Sequence, residues 1–573
     1  MAALELILLL LAASAALRLL ASRLAVPYAV LLVVGGLALA FTPGLPHPTL
    51  PPEVLFLIFV PPLLYAGAVS FPLRDFRQEL GPILRLAVLM PIVSIFAVAA
   101  TAHSMDPAFT WAAAFTLAAI VSFPDPVAVL SVLRSLRVAR QIETILEGEE
   151  LLNDAVGIIA YRFAVAAAVT NTFSPGLAFV QFLFSGAGGI AIGIAVGYAA
   201  AWAHRIGRPI SVVQNTVSLL TPFAAFLAAD LLGASGVLSV VAAGMYLARA
   251  LSSVTDPGSR LERGAVWTVI SFLLESLIFI LVGLELPVIT RQLEMYPIAT
   301  LLREAAIITG CVVLVRLVWV VPSAYVGRFL GRLFRGVKES PAPFRWILFV
   351  AWTGLRGGDS VVIALALPTV TANGAPFPAR AQIMFIAFAV TFATLVVQGP
   401  TLAPLARWLC LRGDGREDEE EAHARLTAAE AGLSVLDSAE ARRSPRPEVV
   451  RYLGQRHRQR ARRWAALEAA LQARGAVAQD LSHDHLITAP SHDAGEVDEQ
   501  RAAEYRRLRS EMLDAEQRAL VDMRDRDEIP DDVMRRVQRD LDLEAMLLDT
   551  PQPVSTPLQE VAGEVGGQQP PIQ

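Results

Sequence analysis

The 573-residue sequence predicts an all-α polytopic membrane protein with a soluble helical tail at its C-terminal end. Three observations predict this fold class. Hydrophobic residues make up 54% of the chain and charged residues 18%, whereas an average soluble protein has about 25% charged residues. The apolar residues form about 13 runs, each long enough to cross a bilayer. From about Gly413 onward the composition becomes rich in Arg, Asp and Glu.

The apolar runs follow one another from the N-terminus to about Leu411, which defines a transmembrane domain over residues 1–411. The fifth and twelfth runs are interrupted by Pro or Gly, and interrupted segments in two halves of a membrane domain are typical of crossed discontinuous helices in inverted repeats. The predicted limits of the runs are 4–20, 26–42, 53–70, 81–101, 109–133, 146–169, 177–203, 211–232, 236–250, 265–289, 300–325, 344–368 and 383–409.

Arginine in the loops predicts the orientation of the chain. One set of loops carries arginine, as at Arg74, Arg205 and Arg260, while the alternate set is nearly free of positive charge. The positive-inside rule places the arginine-bearing loops in the cytoplasm. An odd number of spans then leaves the N-terminus in the periplasm and the tail in the cytoplasm. Abundant Ala, with Arg in place of Lys, indicates a bacterial genome and hence a bacterial inner membrane.

Composition also argues against several other classes of function. The net charge is only −5, so nothing indicates a nucleic-acid partner. The two cysteines, Cys311 and Cys410, have no metal-type spacing and adjoin apolar runs, so a disulfide framework is not expected. The sequence contains no nucleotide-binding loop, nucleophile elbow or metal-ligand cluster. We therefore expect neither an enzyme nor a bound cofactor, and the expected partners are membrane lipids.

A carboxylate in the fifth run lies between two prolines, in the order Pro124, Asp125, Pro126. Each proline removes a backbone donor and clashes with the preceding turn. The pair therefore predicts that the helix unwinds within the membrane, where irregular backbone is tolerated only if it is buried or faces water. Freed carbonyls in such a segment can coordinate ions.

The sixth run begins with an acidic segment over residues 147–154. Glu150 and Asp154 are four residues apart and share one face of the helix, as do Glu149 and Asn153. Charge within a span is costly and by default indicates function. A carboxylate one turn inside the membrane can hold either a proton or a metal cation. Competition between the two couples their movements, provided that the empty charged carrier cannot reorient.

The twelfth run is interrupted by three glycines and two charges, in a segment that contains Arg356 and Asp359. Glycine there allows a helix break or a close approach of backbones. Other charges within the apolar runs include Glu275, Arg162 and Arg316. The two arginines could pair with Glu275 or Asp359, although structural pairing elsewhere or snorkelling to the membrane surface is the simpler interpretation.

Taken in order, these three motifs resemble the bacterial monovalent cation:proton antiporter family, the NhaP-like sodium/proton-exchanger group. The resemblance implies that Asp154 binds Na+ or K+ and the competing proton, and that Asn153 and Asp125 support the unwound crossing. It also implies a buried ion pair between Glu149 and Arg356, a homodimer, and a core domain that moves against a dimer domain. Asn153 preceding the acid resembles the electroneutral branch.

The sequence departs from the family pattern at four positions. Pro124 replaces the usual Thr, Glu150 replaces a Ser, Ala66 stands where the third helix usually has an acid, and Asp359 stands where an apolar residue is usual. One carboxylate is therefore missing and two are added. We expect Glu150, and with it Asp359, to replace lost ligands in a rewired ion site.

The tail is predicted to be helical over residues 412–549 and disordered over residues 550–573, which are rich in Pro, Gln and Gly. Apolar residues at helical spacing predict that its last helix packs against another helix. They are Val533, Val537, Leu541 and Leu548. The resemblance implies a regulatory or dimer-contact role for this region.

Together these features predict a secondary antiporter that exchanges Na+ for H+ by alternating access. A K+/H+ antiporter is the first alternative. A second alternative is a sensor whose membrane domain binds an ion without carrying it and signals through the tail. A channel is disfavoured because the sequence has no filter-like repeat and no charged rings.

Overall fold

The computed structural model describes residues 2–24, 28–42, 52–122, 124–125, 129–130, 133, 138–170, 175–207, 210–251, 256–291, 293, 296–335, 343–411, 415–438, 447–474 and 499–549. Within these ranges the chain is helical and forms no β-strand, apart from one isolated bridge between Val370 and Pro376. The prediction of an all-α fold is confirmed.

The first half of the described chain contains ten helices. Apolar runs form all of them except the short, charged α4, because a backbone in lipid must satisfy its own hydrogen bonds. They are α1 (Ala2–Leu24), α2 (Tyr28–Ala40), α3 (Pro52–Ser70), α4 (Leu73–Gln78), α5 (Leu80–Met105), α6 (Trp111–Val121), α7 (Arg140–Thr170), α8 (Pro175–Ile206), α9 (Ser211–Leu231) and α10 (Gly236–Leu251).

The second half adds nine helices in the described ranges, and two of them, α13 and α14, are the parts of one interrupted span. They are α11 (Pro257–Arg291), α12 (Ile298–Arg335), α13 (Phe344–Trp352), α14 (Gly358–Leu365), α15 (Arg380–Trp408), α16 (Arg416–Asp437), α17 (Pro447–Arg474), α18 (Glu499–Asp525) and α19 (Asp531–Asp549). Helix α15 contains a π-helical segment, Thr394–Gln398, in its middle.

Seven of the described helices are long and apolar enough to cross a membrane, and five shorter apolar helices accompany them. Each of the predicted runs contains a described helix, and the twelfth contains both α13 and α14. The number of true crossings and their orientation remain predictions, because the helices are assigned here by length and composition alone.

Glycine allows two pairs of membrane helices to pack with their backbones in contact. On α2, a Cβ atom at Gly36 would overlap the backbone of Ile280 in α11, and one at Gly283 in α11 would overlap Val33. On α8, Gly189 and Gly193 lie in the same way against the backbone of α10. Close approach through small residues is the usual means of helix association in lipid, where the hydrophobic effect contributes little.

The tail helices form their own apolar clusters. Val533, Val537 and Leu541 of α19 are buried in one cluster with residues of α16 and α18, and Leu548 packs against it. The prediction that this stripe packs against another helix is confirmed. A second cluster joins α16, α17 and α18. The predicted disordered segment, residues 550–573, lies outside the described residues.

Candidate ion-binding site

The two interrupted spans meet at their breaks. Helix α6 ends at Val121, and Pro124 and Asp125 have no regular structure. Residues 353–357 between α13 and α14 are also unwound. The backbone N–H of Asp125 donates a hydrogen bond to the carbonyl of Leu355 at 2.9 Å, so the two unwound segments touch. The predicted break before Asp125 is therefore present; Pro126 lies outside the described residues.

Arg356 holds this crossing together through backbone carbonyls. Its fully buried guanidinium donates to the carbonyls of Val121 at 2.6 Å, Gly354 at 2.8 Å and Ser122 at 3.3 Å. The last carbonyls of a helix have no partner within the helix and carry partial negative charge. Arg356 supplies that partner at the end of α6. The backbone N–H of Arg356 donates a hydrogen bond to the hydroxyl of Thr394, at 3.0 Å.

The structure corrects the predicted ion pair of Glu149. Its carboxylate accepts two hydrogen bonds from Arg316 of α12, at 2.5 and 2.9 Å, and both side chains are about 2% exposed. Arg356 donates to backbone carbonyls instead, so the pairing that the resemblance implied is wrong in its partner. Arg316 also reaches the carbonyl of Val350, at 3.2 Å, beside the break after α13. Arg162, which the sequence offered together with Arg316 as a partner for Glu275 or Asp359, pairs with Asp230 in a half-exposed position.

Asn153 and Asp154 approach the crossing from α7. The Nδ2 atom of Asn153 donates to the carbonyl of Pro124 at 3.1 Å, which ties α7 to the unwound part of the fifth span. The Oδ1 atom of Asn153 is buried and has no hydrogen-bond partner in the part of the chain that the structure describes. Asp154 is 9% exposed, and neither a hydrogen bond nor an ion pair engages its carboxylate within the described part of the chain. Both side chains are thus available to a ligand.

Four carboxylates surround a small cavity at this point. Its volume is about 10 Å³, which approaches the space that one water molecule requires. Glu150 and Asp359, like Asp154, make no hydrogen bond or ion pair with described residues. The structure therefore brings together the residues that the sequence singled out as extra acids. The cavity is lined by Asp125, Glu150, Asp154, Gly357, Asp359 and Ser360.

A larger cavity of about 890 Å³ leads away from these carboxylates. Its lining includes Glu275 of α11, which accepts a hydrogen bond from the hydroxyl of Tyr28, and Arg18, which lies 4.5 Å above the Tyr28 ring. Sequence reasoning noted Glu275 only as a charge within a span, and Tyr28 gave no signal. Ala66, where the family pattern has an acid, lines the same cavity.

The acids surround a space and do not form a finished coordination shell. No three acidic, His or Cys side chains among the described residues lie close enough together to hold a metal ion jointly. A cation here would therefore take part of its ligands from water, from Asn153 Oδ1 or from carbonyls of the unwound segments. Hard monovalent cations accept such mixed oxygen shells, and a proton can occupy the same carboxylate instead.

Comparison with known proteins places this arrangement in a family. The model of the family "Sodium/hydrogen exchanger, transmembrane" matches residues 7–408, which include every helix of the crossing. The chain belongs to this family. Its members are secondary transporters, so the exchanger is a multi-pass membrane antiporter of monovalent cations and protons, and it is not an enzyme.

Individual relatives extend the likeness. The exchanger is 30% identical over 528 residues to the protein named "Uncharacterized Na(+)/H(+) exchanger Mb2309" of Mycobacterium bovis, covering 91% of this chain and 92% of that one. It is 32% identical over 381 residues to a "Sodium, potassium, lithium and rubidium/H(+) antiporter" of Bacillus pumilus, covering 65% of this chain and 56% of that one.

A solved structure supports the fold of the exchanger. The sodium proton antiporter MjNhaP1 of Methanocaldococcus jannaschii superimposes with a TM-score of 0.51 at 19% identity, covering 71% of this chain and 99% of that chain. The fold of the membrane part is therefore that of an NhaP-type antiporter.

Proposed function

We propose that the exchanger moves Na+ against H+ across a bacterial inner membrane by electroneutral alternating access, as a homodimer with its N-terminus in the periplasm. One observation carries this proposal. Asp154 is buried at the contact between two broken helices, beside a cavity of about 10 Å³, and has no hydrogen-bond or ion-pair partner among the described residues. An unpaired acid within a membrane domain is costly unless a ligand or a proton neutralises it.

The mechanism follows from that cost. With neither ion bound, Asp154 carries a buried charge, and moving it through the closed centre of the protein is unfavourable. Either Na+ or H+ neutralises the carboxylate of Asp154, so only loaded forms change the side to which the site opens. Because both ligands use one carboxylate, each must leave before the other binds, and the two fluxes become coupled. No cofactor or ATP is required.

The other residues of the crossing position this acid. Asn153 joins Asp154's helix to the carbonyl of Pro124, and Arg356 fixes the end of α6. Asp125 is bonded through its backbone to Leu355. In our proposal Asp125 and Asn153 Oδ1 add oxygen ligands to the cation, while the Pro124 and Pro126 pair keeps the backbone unwound.

Glu150 and Asp359 distinguish this exchanger from the family pattern. Both line the cavity beside Asp154 and form no ion pair with a described residue. We therefore propose that Glu150, and with it Asp359, complete the cation's ligand set, since Ala66 stands where the family pattern has a carboxylate. Like charges this close favour protonation of one member or binding of a cation between them.

Ion choice separates the leading proposal from its alternatives. The relative from Bacillus pumilus is named for four alkali cations, so K+/H+ exchange is the first alternative. A membrane domain that binds an ion without transporting it, and signals through the tail, is the second. The three proposals differ in whether there is flux and in which cation drives it.

We expect cation-driven proton flux in proteoliposomes from the wild type and none above empty liposomes from Asp154→Asn. Asparagine keeps the shape of the side chain and removes the group that loads H+ or Na+. Na+, K+ and Li+ would be tested separately with a pH-sensitive dye inside the vesicles. Valinomycin with K+ would then show whether the membrane potential changes the rate of exchange, which electroneutral transport would not permit.

Two results would contradict this proposal. Full flux from Asp154→Asn would remove Asp154 from the site. The absence of flux with every monovalent cation, from folded wild-type protein over a broad pH range, would favour the sensor. Flux driven by K+ and not by Na+ would replace the leading proposal with the first alternative.

For Glu150→Gln we expect the apparent affinity for the driving cation to fall about tenfold, which corresponds to ~1.4 kcal/mol, and the pH profile of flux to shift. Glu143→Gln is the matched control because Glu143 lies on the same helix, α7, and lines neither cavity. Wild-type affinity and pH profile in Glu150→Gln would show that this acid is not part of the ion site.

A further inference from the structure

One end of the larger cavity is lined by a helix of the tail. The cavity begins at Asp154 and Asp359 in the membrane domain, and its far end is lined by Arg535, Gln538, Arg539 and Asp542 of α19. Residues 535, 539 and 542 repeat at helical spacing, so they lie on one face of α19. The opposite face carries Val533, Val537 and Leu541, which are buried against α16 and α18. Helix α19 is therefore sandwiched between the tail and the cavity.

The firmest attachment of α19 to the membrane domain is a buried ion pair. Asp542 accepts two hydrogen bonds from Arg260 of α11, one of them from Nε at 2.8 Å. The two side chains are only 3% and 12% exposed. Gln517 of α18 donates to the same carboxylate at 2.9 Å. Removing one partner of such a pair leaves an uncompensated buried charge, so the contact resists separation.

Two further contacts attach the same helix to other walls of the cavity. The guanidinium of Arg535 donates to the carbonyls of Val69 and Ser70, at 3.3 and 2.5 Å, at the C-terminal end of α3. Asp532 forms an ion pair with Arg140, the first residue of α7. Helix α19 therefore connects α3, α11 and α7, and α7 is the helix that carries Asp154.

Helix α19 also changes the charge that an approaching cation meets. Arg535 and Arg539 add two positive charges to an end of the cavity that already contains Arg260 and Arg263. Asp542 pairs with Arg260, while Asp531, Asp532 and Glu147 offset part of the charge of Arg535. Positive charges next to a narrow opening repel a cation more strongly than they would in open water, because the protein walls screen less than the solvent does.

We propose that α19 is a lid over the ion pathway, held by the Asp542–Arg260 pair, and that its release opens the cavity to the surrounding solution. The lid joins walls of the cavity that lie on different helices, so it also restrains any motion of α7 relative to α3 and α11. Opening requires the tail to shift with α19, since the apolar face of this helix stays packed on α16 and α18. The proposal rests on the proposed function in taking this cavity as the ion path.

The test measures access to the cavity and does not require transport. A cysteine at Ala66, which lines the cavity, would be introduced after replacing Cys311 and Cys410 by serine. The rate of its reaction with a membrane-impermeant methanethiosulfonate reagent would be measured with the lid helix intact and with Asp542→Asn. Asp525→Asn is the control, because Asp525 joins Arg249 in a pair that is half exposed, with side chains 45% and 55% accessible.

We expect Asp542→Asn to react at least several-fold faster than the parent, and Asp525→Asn to react at the parent's rate. We also expect Asp542→Asn to raise cation-driven flux. Equal labelling rates in all three proteins would overturn the lid. An equal acceleration of labelling in Asp525→Asn and Asp542→Asn would also overturn it. If labelling accelerates while flux is absent even from the wild type, the lid stands and the proposed function fails.

A second substitution covers the case in which Asp542→Asn does not fold. Arg539 is exposed at the cavity end and faces away from the apolar cluster, so Arg539→Gln should leave the helix packed. We expect it to lower the cation concentration that gives half-maximal flux, and low ionic strength should enlarge the difference. An unchanged concentration at every ionic strength would remove the electrostatic part of the proposal.

Discussion

At the scale of single residues, the site depends on which buried charges have partners and which do not. Glu149 and Arg316 neutralise each other through two hydrogen bonds, while Arg356 is used to hold backbone carbonyls. Asp154, Glu150 and Asp359 have neither kind of partner within the described ranges. In the described ranges the Glu149 and Arg356 side chains are thus satisfied by protein groups, and the three acids at the cavity are not; our proposal assigns those acids to ions and protons.

The Glu149–Arg316 pair leads to a prediction about stability. Glu149→Gln leaves Arg316 buried without a countercharge, and we expect a loss of about 3–5 kcal/mol, seen as a lower melting temperature in detergent. Asp230→Asn, which breaks a pair whose side chains are about half exposed, should cost less than about 1 kcal/mol. Equal losses from the two variants would contradict this reading of burial.

A double-mutant cycle can also decide between the two arginines. We expect strong coupling between Glu149→Gln and Arg316→Met, because the two side chains contact each other directly. Coupling of Glu149→Gln to Arg356→Met should be weaker, since Arg356 contacts carbonyls. The reverse order would restore the partner that the family resemblance implied.

At the scale of the elements, the site exists because two helices are broken at the same place. The break in the fifth span follows from Pro124, and the break in the twelfth from a cluster of glycines. Gly357 has a specific reason to be glycine, because a Cβ atom there would overlap the side chain of Asp125. The hydrogen bond from the backbone N–H of Asp125 to the carbonyl of Leu355 then joins the two unwound segments.

We expect Gly357→Ala to separate the two unwound segments and to lower the free energy of unfolding by about 1–3 kcal/mol, the usual range for overpacking. We also expect cation-driven flux to fall by a larger factor than the yield of folded protein. The comparison is Gly310→Ala on α12, where an added Cβ meets no atom within 4 Å. Alanine is the better helix former, so that variant should be as stable as the wild type or more stable. Equal flux from the two variants would show that the crossing tolerates a wider spacing.

At the scale of the whole molecule, the tail and the membrane domain are joined by charge. Within the tail itself, Arg509 donates to Glu516 and to Glu544 of α19, each at 2.6 Å, and His457 lies 3.3 Å from Glu516. These buried groups connect α17, α18 and α19. Together with Asp542–Arg260 and Asp532–Arg140, these contacts link the centre of the tail, through helix α19, to the beginning of α7.

The acid stability of the tail follows from Glu516. Burial alone would raise the pKa of this carboxyl, but the charge of Arg509, the hydrogen bond from His457 and the charge of Arg460 lower it from 4.5 to about 2. A lowered pKa stabilises the fold at neutral pH. That stabilisation is lost as the pH falls from about 4.5 towards 2, and the shift corresponds to roughly 3 kcal/mol.

We therefore expect Glu516→Gln to weaken the tail at neutral pH and the difference from wild type to shrink as the pH is lowered below about 4.5. Hydrogen exchange of the α18 amides, corrected for intrinsic rates, would measure this in the full-length protein. Glu511→Gln is the control, because its pair with Arg507 is exposed. A difference between Glu516→Gln and wild type that does not change with pH would contradict the assigned role of Glu516.

The sequence by itself determined the membrane class, the helical runs, the two interrupted spans and the group of acids near Asp154. These features are local: hydrophobic runs, prolines and glycines act within one or two turns, and the three motifs are short. It also identified the apolar stripe of α19, because periodicity reveals a buried face without naming what covers it.

Tertiary structure alone decided which distant groups meet. Glu149 and Arg316 are 167 positions apart, and Arg260 and Asp542 are 282 apart. The sequence contains several arginines that could pair with each of these acids. Only the packing of the helices brings one arginine within hydrogen-bonding distance of each acid. Packing also brings Tyr28 to Glu275, and it places the polar face of α19 at the end of the cavity. Charge pairing depends on distances in space, which a periodic pattern along the chain does not encode.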